Sequence, residues 1–153
     1  MSSNKKIAWS DSYSLGINVI DIQHKKLFDL VNRLYDLKEN KNILEELRII
    51  LYEFSDYTRI HLKDEEAYMA SIDYPDLEEH KKIHKSIIQQ LSKIIHKPAS
   101  LSIIQTKMRV VAKRILVDHI TQEDIKIKRF EEASKKESVD EEIFDISDIE
   151  LDN

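Results

Sequence analysis

Apolar side chains recur at alternating steps of three and four along four stretches of this 153-residue chain, the spacing that lines them up on one face of an α-helix. The first stretch runs from about Val19 to Lys38, after a loop around Gly16, and carries Ile20, Leu27, Val31 and Leu34. The second, from about Asn42 to Ala70, repeats the pattern through Leu47, Leu51, Phe54 and Tyr68. Ser71-Ile-Asp-Tyr-Pro then breaks it. Pro75 suits a first helical turn, and Leu77, Ile87, Leu91 and Ile94 continue a third face until Lys97-Pro98. A fourth stretch, from about Ala99 to Phe130, carries Leu101, Ile104, Met108, Ala112 and Ile115. Helices of roughly 20 to 30 residues joined by short turns predict an all-α protein, an antiparallel up-down-up-down four-helix bundle with an N-terminal loop.

The polar residues that interrupt these faces matter more than the faces themselves. His24 occupies an inward position of the first helix, His61 and Glu65 of the second, His80 and His84 of the third, and His119 of the fourth. One inward histidine is ordinarily a packed residue with a satisfied hydrogen bond. Two pairs at a separation of four residues, each stacked on one helix face, are harder to explain that way. A carboxylate such as Glu65 among apolar rows costs several kcal/mol unless a cation or donor meets it, and no Lys or Arg shares those rows. After His119 the spacing leaves two acids open. Asp124 is five residues on, about 140° away in a regular helix, and Glu123 is the better geometric match. His96, beside Lys97 at a helix C-terminus, is explained by the helix dipole and is set aside. Histidines and carboxylates converging from four helices are the donors of a binuclear iron site.

Composition narrows the choices. One Gly, two Pro and 35% charged residues favour long helices over sheets. Cysteine is absent, so any metal must be held by nitrogen and oxygen. The net charge is -5, but residues 131–153 hold ten acids against two lysines, leaving a small positive balance on 1–130. Neither part reads as a nucleic-acid binder. MSSNKKIAWS lacks the apolar core of a signal peptide and no run is long enough to span a membrane, so the expectation is a soluble, cytoplasmic protein. The length suits one bundle domain over 1–130 with an acidic C-terminal extension over 131–153. That extension carries Ile143, Phe144, Ile146, Ile149 and Leu151, which fits either a short helix that docks a protein partner or an unfolded acidic tail.

With these residues in place, the chain resembles the bacterial branch of the hemerythrin family. The resemblance lies in GINVIDIQHKKLFDLVNRL around His24, YTRIHLKDEEAYM around His61 and Glu65, YPDLEEHKKIH around His80 and His84, and HITQED around His119 and Asp124. It covers about Trp9 to Phe130 and favours Asp124 over Glu123. It implies a left-handed four-helix bundle holding two iron ions (Fe2+/Fe3+) joined by an oxo or hydroxo group. His80, His84 and His119 would bind one iron, His24 and His61 the other, and Glu65 and Asp124 would bridge them. The iron with two histidines keeps a position open for dioxygen. The implied role is a non-enzymatic one, dioxygen storage or delivery. The alternatives are a sensor of oxygen, nitric oxide or redox state that signals through the tail, and a di-iron oxidase or peroxide or nitric oxide scavenger. The Glu-x-x-His spacing of ferritin-like di-iron proteins is missing, which counts against the oxidase.

Leu27, Leu62, Leu116 and Ile120 lie beside the metal positions, as walls of a ligand pocket or as ordinary core packing, and Asp21 and Gln23, just before His24, are either hydrogen-bond partners of an imidazole or solvated polar residues of a helix start. Relatives usually carry larger, aromatic side chains where this chain has Leu62, Ile115 and Ile127. The expectation is a roomier pocket, open to nitric oxide or azide as well as dioxygen.

Overall fold

A computed structural model describes residues 6–137. Helix α1 spans Asn18–Tyr35, α2 Ile43–Ser71, α3 Leu77–His96 and α4 Leu101–Ala112. The fourth helix does not stop there. It widens into π-helical turns over Lys113–Asp118 and Ile120–Asp124 and continues as a helix over 125–137. There is no strand among the described residues. Connections of seven, five and four residues separate the four helices, short enough to force each to reverse beside its predecessor. Accordingly α1 packs on α2, α2 on α3, α3 on α4, and α4 back on α1. No described helix is long and apolar enough to cross a membrane.

The helix ends show how the sequence sets the boundaries. The Ser100 hydroxyl accepts the Ile103 N–H at 3.3 Å and starts α4. Ile17, the residue before α1, offers no such cap. Instead Asp21 reaches back from the first turn and accepts the Leu15 N–H at 2.8 Å and the Ser14 hydroxyl at 2.5 Å. Gly16, at φ 73°, makes the turn that allows this. Asp21 is therefore the fastening of the N-terminal loop, not a partner of an imidazole. The same loop is held by Asn32, which exchanges hydrogen bonds of 2.9 and 2.7 Å with the Ile7 backbone, and by edge-on packing of Trp9 against Phe28.

Pro75 lies just outside α3, not in its first turn. It is the second residue of a Tyr74–Leu77 turn closed by the Leu77 N–H on the Tyr74 carbonyl at 3.3 Å, where a fixed φ near -65° is favoured. At the other side of this connection α2 ends in a left-handed residue, Asp73 at φ 54°. The Tyr74 N–H then returns to the Met69 carbonyl at 2.9 Å, the closure that glycine ordinarily serves. Asp73→Gly is expected to raise the free energy of unfolding by about 0.5–1 kcal/mol, because glycine meets no Cβ penalty at positive φ. Equilibrium denaturation of the two proteins checks this, and a loss of stability would contradict it.

The interior divides into two unequal apolar parts. A large cluster fills one half of the bundle, with Phe28, Leu34, Phe54, Leu91 and Met108 almost wholly buried. A small cluster of Met69, Tyr74 and Ile127 plugs the other end. The buried histidines and acids lie between them. The fourth helix passes residue 130 without interruption, and the Tyr68 hydroxyl donates to the Glu131 carboxylate. The apolar residues Ile143 to Leu151 of the acidic extension lie outside the described residues.

Candidate metal centre

His24, His61, Glu65, His80, His84, His119 and Asp124 converge from all four helices, each between 0 and 7% exposed. On α2 and α3 the four-residue spacing stacks the pairs as regular helices require. On the fourth helix the local backbone is different. The His119 N–H bonds to the Arg114 carbonyl and the Ile125 N–H to the Ile120 carbonyl, each five residues back. A π turn takes in one extra residue, so side chains five apart stack as those four apart do in an α-helix. Asp124 thereby falls beneath His119 and is fully buried, while Glu123 turns outward and meets Lys126 at 3.3 Å. Regular helical geometry, which would favour Glu123, does not hold at this one turn.

The two carboxylates divide the histidines into two sets. Glu65 Oε1 lies 3.0 Å from His80 Nε2 and 3.1 Å from His84 Nε2, and its Oε2 lies 3.2 Å from His61 Nε2 and 3.5 Å from His24 Nε2. Asp124 Oδ1 is 3.0 Å from both His80 Nε2 and His119 Nε2, and its Oδ2 is 3.3 Å from His24 Nε2. One group is therefore His80, His84 and His119 with an oxygen of each acid, and the other is His24 and His61 with the remaining oxygens. Within each group the donor atoms lie within 4.8 Å of one another. Bonds of about 2.1 Å to a first-row cation set neighbouring donors about 3.0 Å apart at right angles, which is the separation found.

These donors satisfy one another only in part: His80 and His84 meet Oε1 of Glu65, but both nitrogens of His24, Oε2 of Glu65, Nε2 of His119 and both oxygens of Asp124 are buried without a hydrogen-bond partner. So many unpaired polar atoms in a dry interior would be strongly destabilising; those that face the two donor groups, all but His24 Nδ1, are accounted for by two cations. The donor set thus fits a pair of metal ions bound through nitrogen and oxygen.

Outer contacts orient the rings. Gln23 Oε1 lies 2.8 Å from His61 Nδ1 and its amide nitrogen donates to Asp64 at 2.7 Å, which directs His61 Nε2 inward. His84 Nδ1 is 3.2 Å from Glu66 in the same way. Gln23 thus meets an imidazole as expected. Asp64 and Glu66 are not legible as outer contacts in the sequence, because they belong to the polar face of α2 and only its packing against α1 and α3 brings Asp64 to Gln23 and Glu66 to His84.

An enclosed cavity of ≈ 10 Å³ adjoins the site, lined by His24, His61, His119 and Asp124 on the polar side and by Leu27, Leu62 and Leu116 among its apolar walls. Thr58, Ile87 and Ile115 complete it. Ile120 is buried but belongs to the large apolar cluster instead of the cavity wall, and Ile127 lies in the small cluster on the far side. The volume is about that of one water. Leu62 and Ile115, two of the three positions behind the expectation of a roomier pocket, both line this space.

Burial disfavours a charged imidazole at His24 and His80, but Asp124 and Glu65 beside them outweigh it and lift both pKa values to about 9. His119 moves the same way for the same reasons. Burial pushes Glu65 and Asp124 upward, yet the surrounding histidines hold both well below the usual carboxylate range. In protein stripped of metal, protons on these imidazoles therefore stabilise the fold fully below the unfolded value of 6.5, and that contribution is lost as pH rises toward 9. The carboxylates contribute above their unfolded values of 4.5 and 3.8, a contribution lost in acid. The melting temperature of the stripped protein is expected to fall from pH 6.5 to 9, while the gain on adding a divalent metal grows over the same interval as protons cease to compete. A flat profile in both series would contradict this.

Comparison with known proteins agrees with the geometry. The family model for the hemerythrin HHE cation binding domain matches residues 15–130. A bacteriohemerythrin of Campylobacter jejuni is 34% identical over 138 residues, covering 89% of this chain and 100% of the relative. One of Pseudomonas aeruginosa is 30% identical over 118 residues, 77% of this chain and 76% of the relative. A buried histidine and carboxylate cluster suited to a non-heme di-iron centre, in a four-helix bundle matched along most of its length, makes this chain a member of the hemerythrin family, in its bacteriohemerythrin branch.

Proposed function

We propose that this protein binds dioxygen reversibly at a non-heme di-iron centre, for storage or delivery. His80, His84 and His119 would hold one iron and His24 and His61 the other, with Glu65 and Asp124 bridging. The observation that supports this reading best is the coincidence of two asymmetries. One donor group has three histidines and the other two, and the cavity is lined by both histidines of the poorer group but by only His119 of the richer one. A small apolar chamber next to the less saturated position suits a diatomic ligand and little else.

Two iron ions, when bound, would supply the electrons that dioxygen takes up and returns. The chain's own residues govern the rest. Neutral imidazoles outnumber carboxylates among the donors, which stabilises high-valent iron less than a carboxylate-rich set and so favours release over oxidation of a substrate. Leu27, Leu62 and Leu116 keep water, and with it protons, away from the bound ligand. Gln23 fixes the His61 tautomer so that Nε2 faces the site.

Iron-loaded, reduced protein exposed to air is expected to gain a visible charge-transfer band that disappears when oxygen is removed, over repeated cycles. Irreversible bleaching would overturn the proposal. Sustained turnover with a reductant would mark an oxidase instead, and a partner bound in only one ligand state would mark a sensor.

A further inference from the structure

The outer groove between α2 and α3 carries a charge that the described residues do not neutralise. Arg59, Lys63, Lys81 and Lys85 rim a floor that includes Leu62 and Ile88. Among the described residues only Lys81 of these cations has a carboxylate within 4 Å, Glu78 at 3.7 Å. The one acid in the groove, Glu66, faces His84. Residues 138–153 have the opposite character, with seven acids, no Lys or Arg, and Ile143, Phe144, Ile146 and Ile149 among them.

We propose that the acidic segment 138–153 docks in this groove of its own molecule, with acids on the cationic rim and apolar side chains on the floor. The path is short. The Tyr68 hydroxyl donates to Glu131 and the Tyr74 ring packs on Phe130 at 5.5 Å, so the fourth helix leaves the bundle beside the α2–α3 turn. Ala70, two residues past Tyr68, is the near end of the groove. From Glu131 to residue 137 the helix advances about 9 Å, and the groove from Ala70 to Arg59 is about 17 Å long. Sixteen residues can span about 54 Å when extended, enough to return and lie along it.

A second basic groove, between α3 and α4, includes Lys93, Lys97, Lys107 and Arg114. It is the more distant of the two. Arg114, its nearest residue on the fourth helix, is about 35 Å from residue 137, so about ten residues are used in reaching it and Ile143, Phe144 and Ile146 fall short, whereas about three suffice to regain Ala70. Charge and reach together select the α2–α3 groove. Leu62 is common to its floor and to the wall of the metal-site cavity.

Carbodiimide coupling, which joins lysine amines directly to nearby carboxylates, tests the docking on the full metal-loaded chain. The Lys135–Glu131 pair at 2.9 Å is the internal control for the reagent. In the monomer fraction, mass spectrometry is expected to find links from Lys63 or Lys85 to acids of 138–153, at a yield independent of protein concentration. The links should vanish in about 0.5 M salt, where the Debye length is only a few ångströms. A Lys63→Glu, Lys85→Glu double variant, altered at exposed positions, should keep its helicity and metal content and lose salt-sensitive links to the groove. With the control link present, no link to the groove overturns the proposal. So do links confined to dimers, which would mark a second copy as the source, and links only to Lys93, Lys97 or Lys107.

Discussion

Glu65→Gln protein is expected to bind metal roughly 10²–10³-fold more weakly than the parent, and to keep fewer than two ions per chain after dialysis. Glu65 is wholly buried and presents one oxygen to each histidine group, so on the proposed reading a single neutral substitution would touch both cations at once. Removing one partner of a buried charge interaction costs about 3–5 kcal/mol, and each 1.4 kcal/mol is about tenfold in affinity. Glutamine has nearly the volume of glutamate, so the packing of the bundle is preserved and the loss reports charge. The metal-free variant should stay folded. Its fall in stability between pH 6.5 and 9 should also shrink, since Glu65 is one of the two carboxylates that raise His24 and His80. Metal content by elemental analysis, with chelator competition for affinity, checks the first claim. An unchanged content of two ions would refute a bridging role.

Leu62→Ala is expected to destabilise the protein by about 2–5 kcal/mol, the range for truncating a buried leucine that leaves a cavity. Leu62 is 5% exposed and stands between the outer α2–α3 groove and the cavity beside His24 and His61. Its loss enlarges a space of ≈ 10 Å³ and opens it toward solvent. Azide association and autoxidation of the iron-loaded protein should both accelerate. Leu62→Met is the control, since a volume-conserving exchange ordinarily costs less than about 1.5 kcal/mol, and it should leave both rates near those of the parent. Denaturation and stopped-flow absorbance separate the stability effect from the access effect. If the alanine variant loses stability with no change in either rate, Leu62 is core packing and the route to the site lies elsewhere.

Much of the centre is legible in the amino-acid sequence because helices stack residues four apart. His61 with Glu65 and His80 with His84 stand out as inward polar pairs from their spacing alone, and Glu65 demands a cation on burial cost. His24 and His119 are single residues and gain meaning only with the pairs. The bundle itself follows from four apolar faces and connections too short for any other arrangement. Pro75 and Asp21 are the exceptions. Local preference puts Pro75 inside the first turn of α3, and nearness to His24 leaves Asp21 as an imidazole partner or a solvated residue, whereas a tight turn and a fastened loop use the same residues.

What periodicity determined about this protein is the number of helices, their inward faces and six of the seven converging donors. The seventh, Asp124, is out of register in any regular helix. It is brought in by π turns at His119 and Ile125, whose N–H groups bond five residues back. Apolar periodicity does not encode such a turn, because a regular 3.6-residue repeat has no place for the extra residue that it takes in. The same holds for the cavity: side-chain lengths along one helix do not fix the space among four, and its ≈ 10 Å³ is bounded by residues of all four helices. Periodicity says nothing of how the donors divide into two groups; the family resemblance implied that division, and only the tertiary structure gives its geometry, because it rests on which oxygen of each buried carboxylate faces which histidines.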